Sequence, residues 1–237
     1  MKTQVLKAID TKLSNFHKGL ESVVKEYLEF QNEMYYGKYS YQGDKSFAEF
    51  EDYICDSFYS NNNKNIWLGK VRRVAKECGL KVAGFGRTRI ALETTYRGNP
   101  IIIKVAMAKK ENVKEYKSLS NVKKSNFKNI MDLVLMPTHE WDNKQWGKIL
   151  AYPKAPVVAK GDWDVDSAAE GDWRFCGLPK RFQTKKIALR LSGISRLTAD
   201  THGFNIGFVN SKPYLIDCNF FSSASELKWV EYKLSKV

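Results

Sequence analysis

The sequence predicts an α+β fold, and three observations carry that prediction. A seven-residue apolar repeat fills the first thirty residues. Short β-branched and aromatic runs separated by turn signals occupy the middle, and a helical stripe followed by two short strands lies near the end. The 237 residues are 43% hydrophobic and 27% charged, ordinary proportions for a folded domain. A chain of this length buries roughly 70–75% of its unfolded surface, so it needs no covalent staples.

The first helix is read from Leu6, Ile9, Leu13, Phe16, Leu20, Val23 and Tyr27. Their alternating spacing of three and four places one apolar stripe along a helix. Such a stripe serves either as a coiled-coil seam, giving a dimer through the N-terminal heptads, or as the buried face of a helix packed on its own domain. Gly37 to Asp44 breaks the helix, Phe47 to Phe58 resumes a helical pattern, and a third helix runs from Ile66 to Cys78, ending at Gly79. Leu80 to Phe85, Ile90 to Tyr96 and Ile101 to Ala106 then read as a three-stranded antiparallel meander turning at Arg97-Gly98-Asn99-Pro100. Asn112-x-x-Glu115 reads as a capping pattern that starts a helix. Leu133 to Met136 and Ile149 to Tyr152 complete a predicted five-stranded sheet, joined by a polar loop around Asp142-Asn143-Lys144. Ile187, Leu191, Ile194 and Leu197 mark a further helix within 184–197, and Ile206 to Val209 with Tyr214 to Ile216 form a hairpin.

Charge and cysteine content narrow the setting. The net charge is +13, and it is unevenly placed. Residues 1–70 carry 9 basic and 10 acidic side chains, whereas residues 71–237 carry 30 and 16, a net of +14. Lys104 to Lys128 holds 8 basic and 2 acidic residues, and Arg174 to Arg190 holds 6 basic and none acidic. Fields of this kind attract phosphate, on nucleotides or nucleic acid, and also acidic proteins. Cys55, Cys78, Cys176 and Cys218 form no C-x-x-C pair, which predicts free thiols and a reducing, cytoplasmic location. No apolar stretch approaches the roughly 20 residues of a membrane span, so no membrane partner is expected.

Two constellations carry chemistry. The meander presents Gly84-Phe85-Gly86 at its first turn and Lys104 inside the run Ile101 to Ala106. A lysine in an apolar strand is costly unless its ammonium has a partner, and phosphate oxygens beside a glycine-rich hairpin are one. The second constellation is Asp200-Thr201-His202-Gly203-Phe204-Asn205, followed after a strand and a turn by Asp217. The hairpin brings Asn205 and Asp217 side by side as two oxygen ligands for Mg²⁺, with Asp200 near a substrate hydroxyl. Two other patterns have ordinary explanations. Asp162-x-Asp164-x-Asp166 imitates a calcium loop but lacks the glycine at the sixth position, and reads as an acidic loop capping a helix through Ser167-x-x-Glu170. Trp141, Trp146, Trp163 and Trp173 lie among basic residues, a pattern that serves base stacking or core packing.

On these residues the chain resembles the protein-kinase-like superfamily. Gly84-x-Gly86 is similar to the glycine loop, and Ile102-Ile103-Lys104 to the Val-Ala-Ile-Lys strand. Asp200-x-x-x-x-Asn205 is similar to the catalytic loop, and Leu215-Ile216-Asp217 to the metal-binding Asp of Asp-Phe-Gly. Within the superfamily, Asp-x-His-x-x-Asn-Ile running into Pro-Tyr-x-x-Asp most resembles the early Ser/Thr protein kinases of short-tailed coliphages. The resemblance spans residues 76–222. It implies a two-lobed fold with a helical extension at 1–75, a five-stranded antiparallel N-lobe at 76–152 and a truncated helical C-lobe at 153–237.

The resemblance also implies ATP and Mg²⁺ as cofactors. Lys104 would hold the α- and β-phosphates and pair with Glu115, or with Glu111. Adenine would lie near Tyr152, Asn205 and Asp217 would hold Mg²⁺, and Asp200 would be the catalytic base. The implied substrates are Ser/Thr residues of proteins, host transcription or translation proteins if the phage likeness holds. The motifs also depart from the superfamily pattern. Arg89 stands where a third glycine is usual, Thr198-Ala199 precedes Asp200 in place of His-Arg, and Cys218-Asn219 follows Asp217 in place of Phe-Gly. Those departures keep two alternatives open: a kinase-like binding protein that uses its basic face on nucleic acid or a host nucleic-acid enzyme, and a small-molecule kinase.

Overall fold

The helical stripe at the start of the chain lies in the core of the first half. In the computed structural model, which describes residues 4–35, 37–56, 62–85, 89–106, 110–161, 163–174, 176–197, 202–218, 221 and 223–236, it forms α1 (Gln4–Tyr35). All seven stripe residues are buried, from Leu6 to Tyr27, inside a core built by the same chain. The stripe is thus the buried face of a packed helix, the second of the two sequence readings. The core also takes up α2 (Asp44–Asp56) and α3 (Asn62–Glu77). Gly79, at φ +67°, ends α3 by turning the chain left-handed, and Leu80 N–H closes the turn on the Ala75 carbonyl at 2.8 Å.

The chain has a mixed α+β architecture with a five-stranded antiparallel sheet and, among the described residues, eight α-helices. The sheet runs in the order β1-β2-β3-β5-β4, with β1 (Lys81–Phe85), β2 (Ile90–Tyr96), β3 (Asn99–Val105), β4 (His139–Asn143) and β5 (Gly147–Pro153). Arg97 and Gly98, at φ +49° and +81°, make the tight turn that pairs Tyr96 with Asn99. One expected strand is corrected. Leu133 to Met136 contributes no strand to this sheet: Leu133 ends helix α5 (Lys128–Leu133), and Val134 makes a single parallel bridge to Leu215. The fourth strand is instead His139–Asn143, whose inward residues include Asn143 and whose tip overlaps the expected polar loop. Asn143 belongs inside because its side-chain oxygen accepts from Gln145 and Trp146 N–H, both at 2.9 Å, while its amide donates to Asp10 at 2.9 Å.

Two compact units result, residues 1–113 with 139–151 and residues 114–138 with 152–237. The second contains most of α4 (Lys110–Ser125), together with α5, α6 (Val165–Ala169), α7 (Lys185–Ser195), the hairpin β6 (Ile206–Val209) and β7 (Lys212–Leu215), and α8 (Ala224–Leu234). Ile187, Leu191, Ile194 and Leu197 are buried as their spacing predicts. The α6 cap is corrected from Ser167 to Asp164, whose carboxylate accepts from Asp166 N–H and from the Ser167 hydroxyl.

Candidate functional site

In the first unit, strand register places three small or functional residues in one row. Gly84 faces Ala91, and Ala91 faces Lys104. Residues directly opposite in antiparallel strands share a face of the sheet. The other face carries Ile90, Leu92, Ile103 and Val105, all fully buried. Lys104 therefore stands on the half-buried face, behind two positions that bear at most a methyl group. This explains how a lysine survives within an isoleucine run: the period of the strand turns it away from the core. A methyl group added at Gly84 would meet only the Ala91 methyl, at 3.8 Å, so steric need does not fix the glycine there. Gly86 lies outside the described residues.

Asn112 has a different task from the one its spacing suggested. It lies inside α4, fully buried, and its amide donates to the Lys104 carbonyl at 2.9 Å and the Lys148 carbonyl at 2.8 Å. The expected cap is thus a clamp that ties the start of α4 to β3 and β5. Its Oδ1 is buried without a hydrogen bond. Glu111 and Glu115 on α4 are both buried, Glu115 completely, and Tyr152 is buried in β5.

In the second unit, β6 and β7 pair from Ile206 with Leu215 to Val209 with Lys212. Asn210 and Ser211, at φ +48° and +63°, form the two-residue turn. The ladder continues one step beyond the strands, since Ile216 N–H donates to the Asn205 carbonyl at 2.8 Å. Asn205 therefore faces Ile216, and Asp217 is the next residue past the open end of the hairpin.

Both chains leaving that open end are held in place. On the Asp217 side, Phe221 N–H donates to the Ser118 hydroxyl at 2.9 Å and the Phe221 carbonyl accepts from the Asn121 amide at 3.0 Å. On the Asn205 side, Gly203 to Asn205 form one 3₁₀ turn. The Asn205 amide nitrogen lies 3.2 Å from His202 Nε2. Gly203 N–H donates to the Trp163 carbonyl at 3.1 Å, and Asp164 bridges to His202. Glycine is required at 203: a Cβ there would come within 1.8 Å of the Trp163 indole. Glycine is required at 207 as well, where a Cβ would meet the Ala155 carbonyl oxygen at 2.5 Å. Trp163 is buried, and its indole N–H has no hydrogen-bond partner. Asp200 lies outside the described residues.

Gly84 and Lys104 share one sheet face in the first unit, and in the second Asn205 and Asp217 both lie at the open end of the hairpin, where Asn205 faces Ile216. Ser118, Asn121 and Trp163, which hold the chains leaving that end, carry no motif that a single sequence reveals. Among the described residues no cluster of three or more His, Cys, Asp or Glu side chains is placed to hold a metal, and no helix is long and apolar enough to cross a membrane. No family model, characterised protein or solved structure matches the chain.

Proposed function

We propose that this chain is an ATP-dependent Ser/Thr protein kinase of minimal form, acting on proteins of a host cell. The observation that carries the reading is the hairpin register, which sets Asn205 and Asp217 at one open end with both flanking chains pinned. The donor set suits Mg²⁺, which takes carboxylate and carboxamide oxygens. Bound Mg-ATP would supply the phosphoryl group and neutralise the charge that develops on it. Lys104, turned to the half-buried sheet face beyond Gly84 and Ala91, would hold the α- and β-phosphates. Its ammonium is a point charge on a flexible stem that follows a moving phosphate. Glu115 would orient Lys104, Tyr152 would border the adenine, and Asp200 would accept the proton of the attacking hydroxyl. Positioning and charge neutralisation then supply most of the rate.

The test is phosphate transfer from labelled ATP to protein, comparing wild type with Asp200→Ala and Asp217→Ala. A drop of at least a hundredfold in both variants is expected for loss of a base and a metal ligand. Equal labelling in all three refutes the reading.

A second reading is favoured by the surface of α8, where Trp229 and Tyr232 are 56% and 62% exposed with Lys233 and Lys236 over their rings. Exposed aromatics among lysines suit stacking on single-stranded nucleic acid. On that reading the chain binds nucleic acid with steep salt dependence and transfers no phosphate.

A further inference from the structure

The basic run from Arg174 to Arg190 is used by neither reading, and its last members, Lys186 and Arg190, line a cavity. A cavity of about 450 Å³ opens in the second unit beside α5, α7, the β6–β7 turn and the end of α8. Its floor is aliphatic: Leu133, Ile187, Pro213 and Leu234. Leu189, at its edge, is 62% exposed, and Met131 on α5 is 36% exposed.

Three cations line it, and they are not equivalent. Arg190 is a strut. Its guanidinium donates to the Asp132 carboxylate, the Asp132 carbonyl and the Pro213 carbonyl, and lies over the Tyr214 ring at 4.5 Å. Lys186 and Lys212 are exposed and make no ion pair with a described residue. Lys186 also sits, with Lys185, in the first turn of α7, which contains no acidic residue. Cations there oppose the positive end of the helix dipole, an arrangement that an incoming carboxylate relieves. Lys212 approaches from the hairpin turn, so an apolar floor is flanked by two unneutralised ammonium groups.

We propose that this cavity is a docking groove for an acidic-apolar segment of a partner protein. One aliphatic or phenyl side chain of the segment fills the floor, and flanking Asp or Glu residues meet Lys186 and Lys212. The volume lies within the range of ligand clefts, and the charge pattern selects carboxylates. Nucleic acid fits less well, because the floor presents aliphatic groups and no aromatic face for a base. The proposal does not rest on phosphoryl transfer.

The experiment uses the full chain without ATP. Its probes are fluorescein-labelled short peptides in which a Leu-Phe pair is flanked by Asp and Glu. Controls carry Lys flanks or a Ser-Ser centre. Wild type is expected to bind the acidic-apolar peptide at least tenfold more tightly than either control. Lys186→Glu with Lys212→Glu is expected to reverse the preference toward Lys flanks, a gain that unfolding cannot produce. Leu189→Ser is expected to weaken binding several-fold without changing the charge preference. Equal binding of all three peptides overturns the proposal, as does an unchanged preference in the doubly substituted chain. Loss of peptide binding through self-association of this face, seen by sedimentation, also overturns it.

Discussion

In the first unit aromatic and aliphatic contacts fill the core, with polar anchors such as Asn112 and Asn143 set inside it. Phe16 stacks on Trp146 with ring centres 5.8 Å apart, His17 and Phe47 pack edge-on against the same indole, and Tyr27, Phe50 and Trp67 form a second cluster. In the second unit, long side chains reach backbone groups far away in sequence. Glu231 accepts from Asn129 and Ile130 N–H and so caps α5, whose own cap residue, Phe127, has no side chain that can do it. Arg190 binds two carbonyls, and Ser118 and Asn121 bind Phe221. The contrast has a functional reading. Burial is non-directional and builds a stable platform, whereas directed hydrogen bonds fix where individual backbone segments run. Among the segments fixed this way is the one at Phe221, which follows Asp217.

The comparison breaks most visibly at Trp146, which is 1% exposed and donates its indole N–H to the Leu13 carbonyl at 2.9 Å. Trp146→Ala removes a large buried ring together with its hydrogen bond to that carbonyl, and is expected to cost about 3–5 kcal/mol. Urea unfolding measures it. A loss below about 1 kcal/mol would mean that α1 is not held on the sheet by this core.

In the second unit the corresponding weak point is one of shape. Gly203→Ala drives a methyl group into the Trp163 ring and is expected to cost about 1–3 kcal/mol through displacement of the loop. Trp163→Ala alone destabilises the unit, yet it makes room for the alanine. A double-mutant cycle on unfolding free energies is therefore expected to show a coupling of about 0.5–3 kcal/mol. Additive effects would separate Trp163 from the loop that carries Asn205.

How much of this was legible in sequence follows from the range of each interaction. The α1 stripe, the Arg97-Gly98 turn and the Ile206–Leu215 hairpin are local patterns, and they appear with bounds close to those expected. Strand β4 was missed because its inward positions include Asn143, a polar residue made buriable by partners on α1 and in the following turn. Asn112 was misjudged for a related reason: cap spacing is local, whereas its two carbonyl partners lie 8 and 36 residues away in the chain. Asn205 and Asp217 could be placed at one end of a hairpin from spacing alone, because the turn between them is short. Ser118 and Asn121 could not be placed, since about a hundred residues separate them from Phe221.

The smallest expected effect tests the polar side of the comparison by pH. Asp164 caps α6, and the Ser167 hydroxyl, followed by Asp166 N–H, holds its carboxyl below the ordinary value of 3.8. Because the folded value is depressed, the stabilisation is present above that ordinary value and is lost as pH falls through the folded one. Asp164→Ala is therefore expected to cost about 1 kcal/mol at neutral pH, the usual cost of losing an N-cap, and progressively less as the wild-type carboxyl protonates. Asp164→Asn keeps a capping oxygen that does not titrate, so its stability is expected to match wild type at neutral pH and to vary less in acid. Urea midpoints at about pH 7 and about pH 3 read the difference. If the gap between wild type and the alanine variant is the same at both, the ionised carboxylate is not what holds the 163–164 segment against His202 and Gly203. The polar account of the second unit would then fail at the loop where it matters most.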